Sequence, residues 1–175
     1  GVANWRDLDP LNNVPNRSVY VLAFNPANAN ILYACLSGVS GGAPANVYRT
    51  TNALAATPVW VNVSYPVDVS ANTLAMDQDA PNILYAGTDI GVWRTADGGT
   101  TWVHMGPEVG MPNVEVDDLR LNNTTGRLIA FTHGRSAFAL IQANTANLVL
   151  TQSATPVSPS VGCDLTYTIN LANRG

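Results

Sequence analysis

The chain has 175 residues, a formal net charge of -4, 46% hydrophobic residues and 11% charged ones, a balance that suits an ordered globular chain and excludes a charge-extended disordered one. All eight basic residues are Arg, and no basic run exists that would neutralise a row of phosphates, which excludes nucleic acid as a partner. No apolar stretch approaches the roughly 20 residues a membrane-spanning helix needs, Gly1 does not open a charged-then-apolar leader, and the low charge with abundant Asn, Thr, Ser and Gly points to an exported segment.

From the N-terminus, the first pattern is Asn4-Trp-Arg-Asp-Leu8, centred on Trp5. Next, Leu22-Ala-Phe-Asn-Pro and Asn30-Ile-Leu-Tyr-Ala34 form an apolar strand, a turn cluster and a second apolar strand, which predicts a hairpin. Val47-Tyr-Arg-Thr50 and Val59-Trp-Val-Asn-Val63 supply a third and a fourth strand. The first hairpin returns without a gap as Leu74-Ala-Met-Asp with Asn82-Ile-Leu-Tyr-Ala86, and third and fourth strands follow as Val92-Trp-Arg-Thr95 and Thr101-Trp-Val-His104. A looser third copy runs Leu119-Arg-Leu-Asn with Arg127-Leu-Ile-Ala130. Four short strands per repeat is the pattern of a propeller blade. No segment keeps a 3.6-residue apolar period, so helical architectures are excluded.

The expected fold is all-β: a partial β-propeller with complete blades at 18–64 and 70–106, an incomplete sheet at 116–142, and then a truncated Ig-like start. Trp5 sits where Trp60 and Trp102 sit, so the chain is expected to open on the fourth strand of a blade whose other strands are missing. Cys35 and Cys163 fall in different predicted domains, 1–143 and 144–175, and their spacing does not predict a disulfide.

The most specific motif is Thr95-Ala-Asp97-Gly-Gly99-Thr-Thr101-Trp102. It resembles the Asp-box (BNR) repeats of sialidase-like, sortilin-like and xyloglucanase-like propellers. Its chemistry is that of a turn: the Asp97 carboxylate accepts from turn amides and from the Thr95 hydroxyl, Gly99 takes a positive φ, and Trp102 buries its ring between sheets. Thr50-Thr-Asn52 followed by Trp60 is a degenerate copy with a longer turn. The stretch Ala130-Phe-Thr-His-Gly-Arg-Ser-Ala-Phe138 looks like the closing blade of many such bacterial propellers. The tail, with Leu165, Tyr167, Ile169 and Leu171 alternating to give one buried strand face, is similar to the start of a prokaryotic Ig-like conserved-repeat domain carried on surface proteins.

The resemblance implies that loops between second and third strands and between blades share one face, opposite the Asp-box turns, and that a ligand meets this face. The ligand-face candidates are therefore Ser37, Asn46, Asp89, Glu108, His133 and Arg135, and the ligand expected there is a carbohydrate or a protein. Asp89 and Glu108 are the candidate acid pair for glycoside hydrolysis. His133 is read either as a proton carrier or as a hydrogen-bond partner of neighbouring loops, and Arg135 as a carboxylate clamp or a solvated rim residue. Asp77-Gln-Asp79 lies in a hairpin turn, where turn chemistry explains it better than calcium. No catalytic residue is assigned, and no H-E-x-x-H, G-x-S-x-G or paired C-x-x-C is present to imply a metal, a cofactor or a serine hydrolase. The resemblance implies a bacterial secreted or cell-surface multidomain protein whose propeller is a non-catalytic recognition or display scaffold, with the rest of the propeller and further Ig-like repeats as its neighbours. The alternative is the C-terminal part of a sialidase-like or xyloglucanase-like glycoside hydrolase.

Overall fold

The computed structural model describes residues 4–140, 148–155, 161–162, 164 and 166–173. The chain divides into two compact units, 1–140 and 141–175. The first unit holds three antiparallel sheets, each a meander in which consecutive strands pair. The first sheet is β1 (Val19–Phe24), β2 (Leu32–Leu36), β3 (Val47–Thr50) and β4 (Trp60–Asn62), and the second is β5 (Ala71–Met76), β6 (Leu84–Thr88), β7 (Gly91–Thr95) and β8 (Val103–Met105). The third holds β9 (Val116–Asn122), β10 (Arg127–Thr132) and β11 (Ser136–Leu140). A single turn of 3-10 helix, Pro107–Val109, joins the second sheet to the third.

The repeat seen in the sequence is a repeat of pairing register. Leu22 faces Ala34, Leu74 faces Ala86, and Leu119 faces Ala130 across the first hairpin of each sheet. Each first strand also breaks register at the same place, between Val19 and Val21, between Ala71 and Thr73, and, opposite Phe131 and Thr132, between Val116 and Asp118. One residue is therefore left out of the ladder in each sheet: Tyr20, Asn72 and Asp117. Bulges of this kind re-aim a side chain at the end of a strand.

Burial follows from stacking the sheets face to face. β2 and β6 are buried along their whole length, because alternate residues face opposite neighbours and both faces are covered. Tyr33, Cys35 and Val47 of the first sheet pack with Leu74, Leu84, Ala86 and Trp93 of the second. The other face of the second sheet, Ala75, Tyr85 and Val92, packs with Val116, Leu119, Leu128 and Ala130 of the third. Cys35 is wholly buried and its thiol is pushed up to about 12 by desolvation; Cys163 lies outside the described residues.

One expectation is corrected. Residues 4–18 form turns and irregular chain instead of a fourth strand, and Trp5 is 104% exposed; a fourth strand needs a third to pair with, and none precedes it among the described residues. The segment instead covers the outer face of the first sheet, where Leu8 and Val14 pack on the cluster of Leu32, Ala34, Leu36, Tyr48 and Trp60. In the second unit, β12 (Leu148–Thr155) and β13 (Thr166–Asn173) form one antiparallel hairpin. Tyr167, Ile169 and Leu171, which alternation groups on one face, are exposed, because two strands alone cannot complete a sandwich core and the ribbon has no second layer to pack against. Leu165 lies outside the described residues.

The third sheet comes close at Gly87, where a Cβ would lie 2.7 Å from Val116 Cγ1 and, within its own sheet, 2.5 Å from Thr73 Cγ2. The equivalent position of the third sheet, against which no further sheet lies among the described residues, is Phe131, and it is exposed. Gly87→Ala is therefore expected to force the second and third sheets apart, lowering the unfolding free energy in urea by about 1–3 kcal/mol.

Candidate functional site

The two ends of the stacked sheets are built by different chemistry. At one end lies the turn from β7 to β8. Thr95 Oγ1 donates to Asp97 Oδ1 at 2.8 Å and accepts from the amides of Asp97 and Gly99 at 3.2 and 3.0 Å. Asp97 in turn accepts from the Thr101 amide at 2.9 Å and the Thr101 hydroxyl at 2.7 Å. These donors, the Thr101 amide foremost, hold the Asp97 carboxyl down to about 2. Gly99 has φ 95° and lies against Val63, where a Cβ would meet Val63 Cβ at 2.9 Å. The closed turn delivers Trp102, whose Nε1 donates to the Val63 carbonyl of the preceding sheet at 2.7 Å.

The degenerate copy repeats this with an amide in place of the carboxylate. Thr50 Oγ1 pairs with Asn52 Oδ1 at 3.0 Å, Asn52 Oδ1 accepts from the Val59 amide at 2.9 Å, and Trp60 Nε1 donates to the Leu8 carbonyl at 2.7 Å. Every polar group of Asp97 that bonds is spent on its own turn. This end is structural. Asp77 likewise closes its hairpin turn, accepting from the amides of Asp79 and Ala80 at 2.9 and 3.0 Å.

At the opposite end an open hollow of about 460 Å³ is lined by Tyr20, Ser70, Asn72, Asp89, Glu115 and Asp117, with Gly38 at its margin. Tyr20, Asn72 and Asp117 are the three bulge residues, so one irregularity repeated in three sheets aims three side chains at one space. A hydrogen-bond chain forms the floor. The Gly38 amide donates to Ser70 Oγ at 3.0 Å, Ser70 Oγ donates to Asn72 Oδ1 at 2.7 Å, and Asn72 Nδ2 donates to Asp89 Oδ1 at 3.0 Å. Asp89 is thereby oriented while staying exposed.

The 37–46 loop beside the hollow is pinned rather than free. Asp68 accepts from the Ser40 amide at 2.8 Å, the Gly41 amide at 3.0 Å and Asn46 Nδ2 at 3.2 Å, and the Ser40 amide first among these holds its carboxyl down to about 2. Arg17 adds a bond to Asn46 Oδ1 at 3.0 Å.

The sequence candidates separate accordingly. Asn46 is wholly buried and bonded through its side chain to Arg17 and Asp68, so it holds the loop and cannot reach a ligand. Ser37 donates its amide to the Ser18 carbonyl at 3.0 Å, holding the loop's first residue beside β1. His133 donates its amide to the Glu115 carbonyl at 2.9 Å and places Nδ1 4.0 Å from Asp117 Oδ2. Arg135 is exposed in the same turn. Glu108 folds back on the 3-10 turn, accepting from the Gly106 amide at 3.0 Å; hydrogen bonds from its own amide and that of Gly106 lower its carboxyl, and it does not line the hollow. The acids that share the hollow with Asp89 are Glu115 and Asp117. Neither was singled out from sequence, although Tyr20, Asn72 and Asp117 each stand two residues before the aligned Leu22, Leu74 and Leu119.

No protein-family model and no curated protein matches the sequence. Among solved structures, the chain is similar to an ancestral GH74 enzyme, with a TM-score of 0.54 and 20% identity over 73% of this chain and 15% of that one. It is also similar to a GH74 xyloglucanase from Xanthomonas campestris, with a TM-score of 0.53 and 20% identity over 70% of this chain and 22% of that one. The fold is that of a partial β-propeller, and the chain spans less than a quarter of the length of either neighbour.

The two carboxyls held down to about 2, those of Asp68 and Asp97, set an acid limit. Groups whose folded pKa lies below the unfolded value add stability that is present above the ordinary value of 3.8 and is lost as the pH falls toward about 2. The melting temperature should fall steeply across that window. Asp68→Ala and Asp97→Ala should each lower the melting temperature at pH 7 and flatten the acid slope, as followed by circular dichroism.

Proposed function

We propose that the loop face of this propeller segment recognises carbohydrate, as part of a secreted or cell-surface multidomain protein that carries further blades and further Ig-like units. The observation that carries this reading is the convergence of the three bulge residues on one polar hollow. Saccharide hydroxyls are donors, and carboxylates are acceptors only; Asp89, Glu115 and Asp117 offer three of them to one space. Tyr20, exposed at its margin, adds an aromatic face for the apolar side of a sugar ring. Asp89 is oriented by Asn72, so part of the ordering cost is met before a ligand arrives.

A second reading, a glycoside hydrolase, is supported by the likeness to GH74 enzymes. Cleavage needs two carboxyl groups roughly 5–9.5 Å apart on opposite sides of the scissile bond, one of them kept protonated. The acids here line an open hollow, and none of the three has a carboxyl shown to be held protonated. Recognition by this chain alone is the simpler function.

Binding of xyloglucan oligosaccharides by calorimetry is expected for the chain itself, weakened about fivefold by Tyr20→Ala, in line with an aromatic contribution of about 1 kcal/mol, and also weakened by Asp117→Asn. Turnover of a fluorogenic sialoside or of xyloglucan is expected to be undetectable. Activity that disappears in Asp89→Asn would establish the hydrolase reading instead.

A further inference from the structure

The connection between the second and third strands differs between the first two sheets. In the second sheet it is the two residues Asp89 and Ile90, and in the first it is the ten residues 37–46. Ser37 and Asp89 are equivalent, since Val19 faces Leu36 where Ala71 faces Thr88. The next residue then behaves differently. The Ile90 amide turns back to Thr88 Oγ1 of its own turn at 3.2 Å, whereas the Gly38 amide crosses to the segment entering the second sheet and donates to Ser70 Oγ. The repeat itself does not require that crossing, and the longer loop makes it.

From Gly38 to Asp89 the bonds run one way. The Asp89 carboxylate only accepts, so Asn72 must turn its NH2 to Asp89 and its carbonyl oxygen to Ser70. Ser70 must then spend its one proton on Asn72, which leaves its oxygen to accept from the Gly38 amide. Asn72 cannot turn over without breaking both of its bonds, and Ser70 is buried, where a lost partner is costly. The loop end of this chain is held as well. Gly38 has φ 69°, and its carbonyl accepts from Arg17 Nη1 at 3.2 Å. Beyond it, Asp68 gathers the Ser40 and Gly41 amides. Asp68 does not line the hollow, but it stands two residues before Ser70, so one short segment receives the loop twice.

We infer that Asp68 is a remote positioning residue of the polar hollow, a role that rests on carbohydrate being the ligand there. By fixing the 37–46 loop, Asp68 holds the Gly38 amide on Ser70, and through Ser70 and Asn72 it sets the orientation in which Asp89 meets a saccharide hydroxyl. Loop and acid form one unit across the boundary between the first two sheets. Order lost in the loop is therefore order lost at Asp89, and by reciprocity a ligand that grips Asp89 tightens the loop. The link from loop to Asp89 is a property of the chain itself and can be measured with no ligand present.

The test follows the Asn72 side-chain NH2 signals and hydrogen exchange at the Gly38 amide by NMR in the 175-residue chain, with binding of xyloglucan oligosaccharides by calorimetry alongside. Asp68→Ala is compared with Asp97→Ala, which also removes a carboxylate held by turn donors but at the opposite end of the sheets. Asp68→Ala should move the Asn72 signals toward those of a solvated Asn. It should also speed Gly38 exchange and weaken binding, each by about fivefold, the net contribution of one hydrogen bond. Asp97→Ala should change none of the three. Gly38→Ala reaches the same link with Asp68 in place: a Cβ there meets nothing within 4 Å, so the change acts only through a positive φ that an L side chain disfavours. It should move the Asn72 signals and weaken binding in the same way, and it decides the matter if Asp68→Ala does not fold. Asn72 signals that stay in place in these variants overturn the inference, as does wild-type affinity in variants whose Asn72 signals move. A wild-type chain that binds no oligosaccharide, while the Asn72 signals still respond to Asp68→Ala, overturns the carbohydrate reading and upholds the link from loop to Asp89.

Discussion

Two indoles, those of Trp60 and Trp102, place their N–H on a carbonyl of the segment before, whereas the N–H of the buried Trp93 has no hydrogen-bond partner. Trp60 reaches back to the Leu8 carbonyl and Trp102 to the Val63 carbonyl at the same distance and the same offset. A buried donor left unpaired costs about 1–3 kcal/mol, so the Trp102–Val63 bond favours one displacement of the second sheet from the first, and the Trp60–Leu8 bond one placement of the N-terminal segment on the first sheet. The turns before each tryptophan serve that purpose, closing on Asp97 or Asn52 so that the ring arrives at the right height. With the displacement fixed, equivalent residues of successive sheets stand side by side. The three first-strand bulges then fall at one end and their residues share one space. The hollow is a consequence of the stacking at the opposite end of the blades.

This geometry also divides the acidic residues by task. Asp97 and Asp68 are surrounded by amide donors that pull their carboxyls down to about 2, and what they hold is backbone. Asp89, Glu115 and Asp117 line open space, and of these Asp89 alone is oriented by a side-chain donor, Asn72. Charge of one sign thus does structural work inside loops and offers acceptor capacity at the hollow. The wholly buried Asn46 belongs to the first group despite lying in the loop that borders the second.

Most of the sheet architecture was legible in the chain because the first hairpin of the repeat aligns without a gap: matching Leu22 with Leu74 and Ala34 with Ala86 already gives the pairs that face each other. The turn at Asp97 was legible because its spacing admits few backbone paths. The bulges were not, since a bulge is a mismatch between two strands and neither strand alone records it; Tyr20 and Asp117 therefore read as ordinary alternation. Period-2 alternation in β13 correctly groups Tyr167, Ile169 and Leu171 on one face, but alternation is silent on whether a second layer covers that face. Glu108 was paired with Asp89 from its place between blades, and the 3-10 turn at Pro107–Val109 folds it back on itself. Trp5 illustrates the same division, its register plain from sequence and its exposure set by the strands around it.

The claim that tryptophan-to-carbonyl bonds set the stacking is tested most directly by removing the donor and keeping a ring. Urea unfolding of Trp102→Phe and Trp60→Phe, compared with Trp5→Phe, isolates that bond. The first two should each lose about 1–3 kcal/mol, and the third, whose ring is exposed, should match the wild type. Equal stability for all four proteins would contradict the account.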